Sequence, residues 1–429
     1  MTLTDALSRF AALPVSPTSS ARHVARLSAL DWLAVGRAGS TEPVARITRE
    51  MVLEEGGASQ AAVFGTMTRL PARAAALVNG ATSHALDYDD THFAHIGHPS
   101  VGVFPAALAA AELRGATLAE MLDVALVGME LSVRVGMWLG RSHYQTGFHQ
   151  TATAGAFGAA AAAGRLLGLT PDRMAHALGL TATRAAGLKA QFGTMGKPYN
   201  AGIAAASGLE CALLAARGFV ANPGALEGPY GFGATHHGSA DDEALDGLGD
   251  EWLFETVSHK FHACCHGLHA ALEAARDLDI AAPEISELEV TTHPRWMSVC
   301  NQPAPTTGLG AKFSYTTVMA MSALGIDTAN LSSYADATCA DPRLIETRRK
   351  VSVREDEGLG ETESVVRVLR RDGQRLEARH DLDAPMSLAD REARIRAKAA
   401  ALIGPSHAEE AWLRLNGGGQ ASDFADFLA

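Results

Sequence analysis

Long runs of alanine and glycine interleaved with leucine and valine restrict residues 1–258 to closely packed helices. "LAEMLDVALVGMELSVRVGMWLG", "AGAFGAAAAAGRLLGL" and "PYNAGIAAASGLECALLAARG" carry apolar residues at helical spacing. Their small side chains leave little contrast between one helix face and another. Such helices are typically buried on most of their faces. We therefore predict a large helical domain whose helices lie in a bundle or a dimer interface.

The pattern changes after residue 258. "ISELEVTTHPRW", "KVSVRED" and "TESVVRVLRRDGQRLEARHDLD" alternate apolar and polar residues and are rich in β-branched side chains, which predicts strands. The last of them contains an "RDGQ" turn between two strand-like runs. Helical segments such as "SYTTVMAMSALG" lie between the strands. This part of the chain is predicted to be α+β.

After Pro385 the chain returns to a helical pattern, in which Ser387 and Asp390 form a start that resembles a capping box. The predicted fold is therefore mainly α with an α+β second domain: a large all-helical domain interrupted by a smaller α+β lid domain. We predict a helical domain over 1–258, the lid over 259–386, and C-terminal helices over 387–429 that return to the helical domain. A cleft between such domains commonly holds a small ligand.

Composition excludes several classes of function. The chain has 429 residues, 47% of them hydrophobic, and a net charge of −12, which argues against binding to nucleic acid. Its five cysteines are odd in number and lack metal-ligand spacing, so we read them as reduced thiols. No signal-peptide pattern opens the chain, and the longest apolar run is short and followed by Arg165. We expect a cytoplasmic protein that does not enter a membrane.

The stretch "LDYDDTHFAHIGHPS" concentrates titratable groups between apolar helices: Asp87, Asp89, Asp90, His92, His95 and His98. Pro99 is suited to the first position of a helix, which would place His98 beside a helix N-terminus, where a neutral imidazole is favoured. A neutral histidine can accept or donate a proton. Two alternatives remain open here. The residues could cap helices in a solvated loop, or the histidines and carboxylates could bind a metal ion.

Three further stretches carry candidate groups. His149 in "GFHQTATAG" precedes an alanine-rich helix, and Lys197 in "FGTMGKPYNAG" precedes Pro198, where free helix N–H groups would favour a bound carboxylate. The stretch "HKFHACCHGLHAALEA" contains Lys260, His266 and His269. Tyr315 lies in "AKFSYTTV". Structural alternatives are a satisfied core histidine, an exposed loop lysine, a histidine-rich surface turn and ordinary aromatic packing.

Known cofactor and nucleophile motifs are absent from the sequence. It contains no GxGxxG after a strand and no GxxxxGK[ST], GxSxG or HExxH. The remaining combination of aspartate, histidines and lysines suits acid–base chemistry on a small anionic molecule, in which lysines bind carboxylates and aspartate or histidine moves a proton.

The stretches "NGATSHALDYDDTH", "GHPS", "GFHQTATAG", "FGTMGKPYNAG", "HKFHACCHGLHAALEA" and "AKFSY", in this order, resemble the MmgE/PrpD family across essentially the whole chain. The resemblance implies a helical domain with an α+β lid and a homodimer. Members include 2-methylcitrate dehydratase, cis-aconitate decarboxylase and iminodisuccinate epimerase. These enzymes act on small polycarboxylates without a required metal or organic cofactor.

The resemblance also implies site residues. Asp87, His98, His149, Lys197 and Lys260 match the family's catalytic positions, and Thr91 and His269 match positions near substrate. His266, which follows Cys265, and Tyr315, which comes two residues before Thr317 at the place of the family's tyrosine, are further candidates for substrate binding. No metal ligand is expected. The chain departs from the decarboxylases at Cys265, where they carry histidine, and from the methylcitrate dehydratases in lacking "DFNDTW".

The predicted function is a cofactor-independent lyase, a dehydratase or decarboxylase that moves a proton at a carbon α to a carboxylate of a di- or tricarboxylate. The acids and histidines would line one wall of an interdomain pocket, with the lysines opposite. The first alternative is an epimerase of an amino- or iminodicarboxylate that uses the same groups. The others are a non-catalytic carboxylate-binding protein and a metal-dependent hydrolase.

Overall fold

A computed structural model describes residues 2–278 and 280–429. Its chain divides into two compact units, Met1–His259 with Leu388–Ala429, and Lys260–Ser387. The structure is 59% helix and 11% strand, and the strands form small sheets, so the predicted fold class is confirmed. Each unit is described by itself below.

Helices dominate the first unit. In chain order they are α1 (Leu3–Ala12), α2 (Ser19–Gly39), α3 (Pro43–Glu55), α4 (Ala72–Ser83), α5 (Pro99–Arg114), α6 (Leu118–Thr146), α7 (Gln150–Leu166), α8 (Pro171–Arg184), α9 (Gly196–Ala216) and α10 (Phe232–Thr235). The C-terminal segment adds α16 (Leu388–Ile403), α17 (Pro405–Gly417) and α18 (Ala421–Ala425). Helices α4, α5, α6, α7 and α9 pack around one another.

Close helix packing in this unit depends on glycine. A Cβ built on Gly128 of α6 would lie 2.6 Å from the carbonyl oxygen of Gly158 in α7, and a Cβ on Gly158 would lie 2.4 Å from that of Gly128. Between α4 and α9, a Cβ on Gly202 would lie 2.3 Å from the carbonyl oxygen of Leu77. Any side chain at these positions would push the helix backbones apart. The prediction that small residues allow close helix approach is therefore confirmed.

One element of the first unit departs from the all-helical expectation. Strands β1 (Ala61–Val63) and β2 (Thr66–Leu70) form an antiparallel hairpin that turns at Gly65, whose φ is +73°. Ala61, Val63 and Leu70 bury their side chains against α4 and α5. The alternating sequence "AVFGTMTRL" carries this signal, but it is shorter than the helical patterns on either side.

The second unit combines one sheet with short helices. Its strands are β3 (Ile285–Thr292), β4 (Val351–Glu355), β5 (Glu363–Arg370) and β6 (Arg375–Asp381), in the spatial order β4-β3-β5-β6. Strands β3 and β4 are parallel, and the other neighbours are antiparallel. The helices are α11 (His269–Arg276), α12 (Gly308–Ala311), α13 (Tyr315–Ala323), α14 (Asp336–Cys339) and α15 (Pro342–Arg348). The predicted strands and the turn between β5 and β6 are all present.

Membrane insertion finds no support in the helices. Within residues 2–278 and 280–429, none of the helices is both long enough and apolar enough to cross a bilayer.

Candidate active site

The loop from His84 to His98 joins α4 to α5 and carries most of the predicted site. Asp87 adopts φ +52°, a left-handed conformation that is uncommon for residues other than glycine. Such strain costs about 1–3 kcal/mol and persists only where the surroundings impose it. Helix α5 begins at Pro99, and His98 is its N-cap residue, as the sequence predicted. The turn therefore brings Asp87 and His98 to the same place.

Buried polar contacts hold this loop in position. Ser100 Oγ donates to Asp90 at 2.5 Å, and burial raises the pKa of Asp90 to about 7. From α16, Nζ of Lys398 donates to the carbonyl oxygen of Tyr88 at 2.6 Å and lies 2.6 Å from Oδ1 of Asp31. The C-terminal segment thus supports the backbone next to Asp87.

Asp89 lies between two imidazoles. Nδ1 of His84 is 3.0 Å from both carboxylate oxygens of Asp89, and Nδ1 of His98 is 2.8 Å from Oδ2. Complete burial opposes ionisation of Asp89, but the charges and hydrogen bonds of both histidines outweigh it and hold its pKa well below the usual value. A carboxylate accepts hydrogen bonds, so Nδ1 of His84 carries a proton. The two ring nitrogens of His98 each face a carboxylate, Nδ1 that of Asp89 and Nε2 that of Asp87.

The tautomer of His149 is fixed by a hydrogen bond from Asn200. It is the N-cap residue of α7, and the amide nitrogen of Asn200 donates to its Nδ1 at 3.2 Å. Its proton is therefore on Nε2. Burial, followed by the charges of His84, Lys197 and His98, lowers the pKa of His149 well below its usual value, against the effect of Asp87. His149 is thus a neutral hydrogen-bond donor.

Lys197 and Asp87 form the charged pair of the cluster. Nζ of Lys197 lies 2.8 Å from Oδ1 of Asp87, and Nε2 of His98 is 3.6 Å from the same oxygen. The side chain of Asp87 is 32% exposed, and that of Lys197 is 17% exposed, so both retain access to solvent. Helix α9 begins at Gly196, two residues before the predicted start at Pro198, which places Lys197 in its first turn. The expected free N–H groups are not found here, because those of Gly196 and Lys197 bond Thr194 and Pro198 has none, so the attraction for an anion comes from the ammonium group of Lys197.

Four side chains of this cluster also lie close enough together to bind a cation. One ligand atom each from His84, Asp87, Asp89 and His98 falls within 4.8 Å of the others. These atoms already contact one another, however, and Asp87 is paired with the ammonium group of Lys197. A metal ion would have to replace those contacts, so the donor set fits a hydrogen-bonded network better than a metal centre.

His92 and His95 stand apart from the cluster and support the loop. Nε2 of His92 lies 2.9 Å from the carbonyl oxygen of Leu253, and Nε2 of His95 lies 3.2 Å from Oγ of Ser132. Burial lowers the pKa of His92 to about 4 and that of His95 to about 3. Both are neutral buried histidines with structural contacts. Thr91, predicted near substrate, pairs through its backbone with Ser258.

The remaining predicted residues lie in the second unit. The rings of His266 and His269 are 4.7 Å apart, and burial lowers the pKa of His269 well below its usual value. Lys260 is 2% exposed. Tyr315 is fully buried, and its hydroxyl donates to the carbonyl oxygen of Gly267 at 2.6 Å. Tyr315 therefore holds the turn that carries His266. This contact agrees with the alternative that Tyr315 is an ordinary packed aromatic residue.

Sequence reasoning did not select three residues that the structure brings to the cluster. His84 and Asp89 lie within the quoted family stretch, but their pairing depends on the loop conformation. Asn200 lies three residues after Lys197 and therefore on the same face of α9. This spacing is the feature of the sequence that could have identified Asn200.

Sequence comparison defines the class of protein. Residues 7–244 match the MmgE/PrpD N-terminal domain, and residues 262–415 match the MmgE/PrpD C-terminal domain. The chain belongs to the MmgE/PrpD family, which confirms the resemblance inferred from its motifs.

Three curated relatives of the chain are cis-aconitate decarboxylases. A cis-aconitate decarboxylase of Aspergillus terreus is 35% identical over 273 residues, which are 60% of this chain and 55% of that protein. The Homo sapiens cis-aconitate decarboxylase is 34% identical over 213 residues, or 48% of this chain and 44% of that protein. The Mus musculus cis-aconitate decarboxylase is 30% identical over 258 residues, which are 58% of this chain and 53% of that protein. The chain thus matches about half the length of these curated relatives.

Proposed function

We propose that this protein is a lyase that decarboxylates a small unsaturated tricarboxylate of the cis-aconitate type, without a metal or organic cofactor. The observation that carries the proposal is the neutral His149, which keeps its proton on Nε2, together with the Lys197–Asp87 ion pair and the contact of His98 with Asp87. The names of the relatives favour decarboxylation over the other reactions of the family. The homodimer stays a prediction.

Decarboxylation of such a substrate needs one proton at carbon. Carbon dioxide leaves from the CH2–carboxylate arm, and its bonding pair forms a new CH2=C double bond. The electrons of the old double bond then take a proton at the carbon next to another carboxylate. The tricarboxylate and one proton thereby give a dicarboxylate and carbon dioxide. In this scheme Nε2–H of His149 supplies the proton, and Lys197 binds a substrate carboxylate at the start of α9.

A dehydratase or epimerase remains a second candidate because the cluster also holds a proton acceptor. A histidine in its neutral form has one unprotonated ring nitrogen, so in that form His98 can remove a proton α to a carboxylate. Return of the proton to the other face would make the enzyme an epimerase, and loss of hydroxide would make it a dehydratase. The order and stereochemistry of proton transfer separate these reactions.

Proton NMR in D2O tests the proposal directly. The EDTA-treated protein is incubated with citrate, methylcitrate, cis-aconitate, isocitrate and amino- or iminodicarboxylates in turn. We expect cis-aconitate to be converted with one deuteron entering the CH2 group next to a product carboxylate. The other acids should remain unchanged.

The alternatives give different spectra. Deuterium exchange at an α-carbon of an acid that loses neither carbon dioxide nor water would indicate the epimerase, and elimination of water would indicate the dehydratase. Stabilisation of the protein by acids that are recovered unchanged would indicate a binding protein. Activity that EDTA abolishes and zinc or manganese restores would indicate a metal-dependent hydrolase and contradict the proposal.

A further inference from the structure

His84 is the histidine of the cluster to which the proposed proton transfer gives no role. Its side chain is completely buried, and Nε2 has no hydrogen-bond partner within residues 2–278 and 280–429. Buried polar atoms are nearly always paired, so an unpaired one calls for an explanation.

We propose that His84 is a positioning residue that acts through Asp89, fixing the ring of His98 so that its Nε2 faces Asp87. This inference rests on the proposed function, in which His98 takes part in proton transfer. The observation that supports this inference is that the carboxylate of Asp89 contacts the imidazole rings of both His84 and His98.

The geometry shows how His84 fixes this arrangement. Its Nδ1 is equidistant from the two oxygens of Asp89, at 3.0 Å each, and so faces the middle of the carboxylate. A donor in that place holds the carboxylate plane and leaves Oδ2 directed at Nδ1 of His98, 2.8 Å away. Without this donor, Asp89 is free to rotate about its side-chain bonds, and His98 loses its fixed orientation.

Other charged and titratable groups surround His84. The ring of His98, at the start of α5, lies 4.6 Å from the ring of His84. The ring of His149, at the start of α7, lies 5.9 Å from the ring of His84. Asp87 and Lys197 act on the same histidines, and Asp90 acts on Asp89. A change at His84 therefore reaches the reaction through Asp89 and these two rings.

Paired variants separate positioning from general packing. His84→Leu removes the donor to Asp89, whereas His84→Asn keeps an amide donor near the place of Nδ1. His176→Leu is the control: His176 lies in α8, where its Nδ1 bonds the carbonyl oxygen of Ala221, outside the cluster. Circular dichroism and thermal melting establish that each variant folds.

We expect His84→Leu to lower kcat about 10- to 100-fold, as for loss of a hydrogen bond to a charged group, with little change in KM. The pH profile of kcat should shift at the same time. His84→Asn should restore most of the turnover, and His176→Leu should behave as the wild type. Unchanged kcat and pH profile in a folded His84→Leu protein would overturn the inference, as would equal losses in both His84 variants.

A spectroscopic measurement keeps the two proposals distinguishable. Long-range ¹H–¹⁵N spectra of histidine-labelled protein report which ring nitrogen carries the proton, and the His98→Asn variant assigns the signals of His98. We expect His98 to be protonated on Nδ1 in the wild type and in His84→Asn, but to change in His84→Leu. A wild type inactive on every acid would refute the proposed function alone. Unchanged His98 signals in His84→Leu would refute the role of His84 alone.

Discussion

The protein contains two histidine-rich regions that are built in different ways. In the first unit, His84, His98 and His149 come from three separate stretches, and side chains such as Asp89 and Asn200 orient them. In the second unit, the histidines of the 262–269 stretch are neighbours in sequence. Both side chains and backbone hold that stretch: His262 lies 2.7 Å from Oγ1 of Thr328 and 3.1 Å from Oε1 of Glu273, and Nε2 of His269 lies 3.4 Å from the carbonyl oxygen of Cys264.

The difference shows what each arrangement requires of the fold. The first region exists only when α4, α5, α7 and α9 are packed together, because each contributes a group at or near its end. The second lies within one turn and the start of α11, to which Tyr315 and Thr328 each add a contact. Substitutions in the first region should therefore alter chemistry strongly, and those in the second should act through local stability.

The largest effect is expected from removing the proposed proton donor or carboxylate ligand. His149→Ala and Lys197→Ala should each lower kcat about 10²- to 10⁴-fold, because general acid catalysis and charge stabilisation are lost. Steady-state kinetics with cis-aconitate measures this. Lys189→Ala is a matched control, since Nζ of Lys189 bonds the carbonyl oxygen of Tyr144. Full activity in both folded site variants would refute the proposed site.

A smaller effect is expected in the pH dependence of stability. His95 has a folded-state pKa of about 3, below its usual 6.5, so between these values the unfolded chain binds the additional proton. Its contribution is complete above pH 6.5 and is lost as the pH falls, by roughly 1.4 kcal/mol per pH unit. His95→Gln removes this titration and retains a donor for Ser132. Urea unfolding of both proteins between pH 4 and pH 7 should give a shallower slope for the variant; parallel slopes would contradict the assignment.

The smallest effect is expected in the second region. Tyr315→Phe removes the hydroxyl that contacts the carbonyl oxygen of Gly267 and Oγ1 of Thr292. The free energy of unfolding should fall by about 1–3 kcal/mol because buried polar partners remain, and KM should be nearly unchanged. Urea unfolding and steady-state kinetics measure the two quantities. A large loss of kcat with unchanged stability would instead indicate that Tyr315 contacts the substrate. The two histidine-rich regions would then both contribute to the reaction.

Local signals made much of the architecture predictable. Pro99 marked the start of α5 and so placed His98 at a helix N-terminus, and alternation over residues 285–292 identified β3. The pairing of His84 with Asp89 was not predictable in this way, because it depends on a loop in which Asp87 takes a positive φ. No periodicity encodes that conformation. It is imposed by contacts with residues far away in sequence.

Lys398 has a consequence for the order in which the molecule is made. Its ammonium group holds the backbone of Tyr88 and pairs with Asp31, yet it lies beyond the whole second unit in the chain. A ribosome therefore finishes residues 260–387 before it supplies the group that completes the Asp87 loop. Nascent chains that stop within the second unit would lack this anchor, so the Asp87 loop takes its final conformation only after residue 398 has been synthesised.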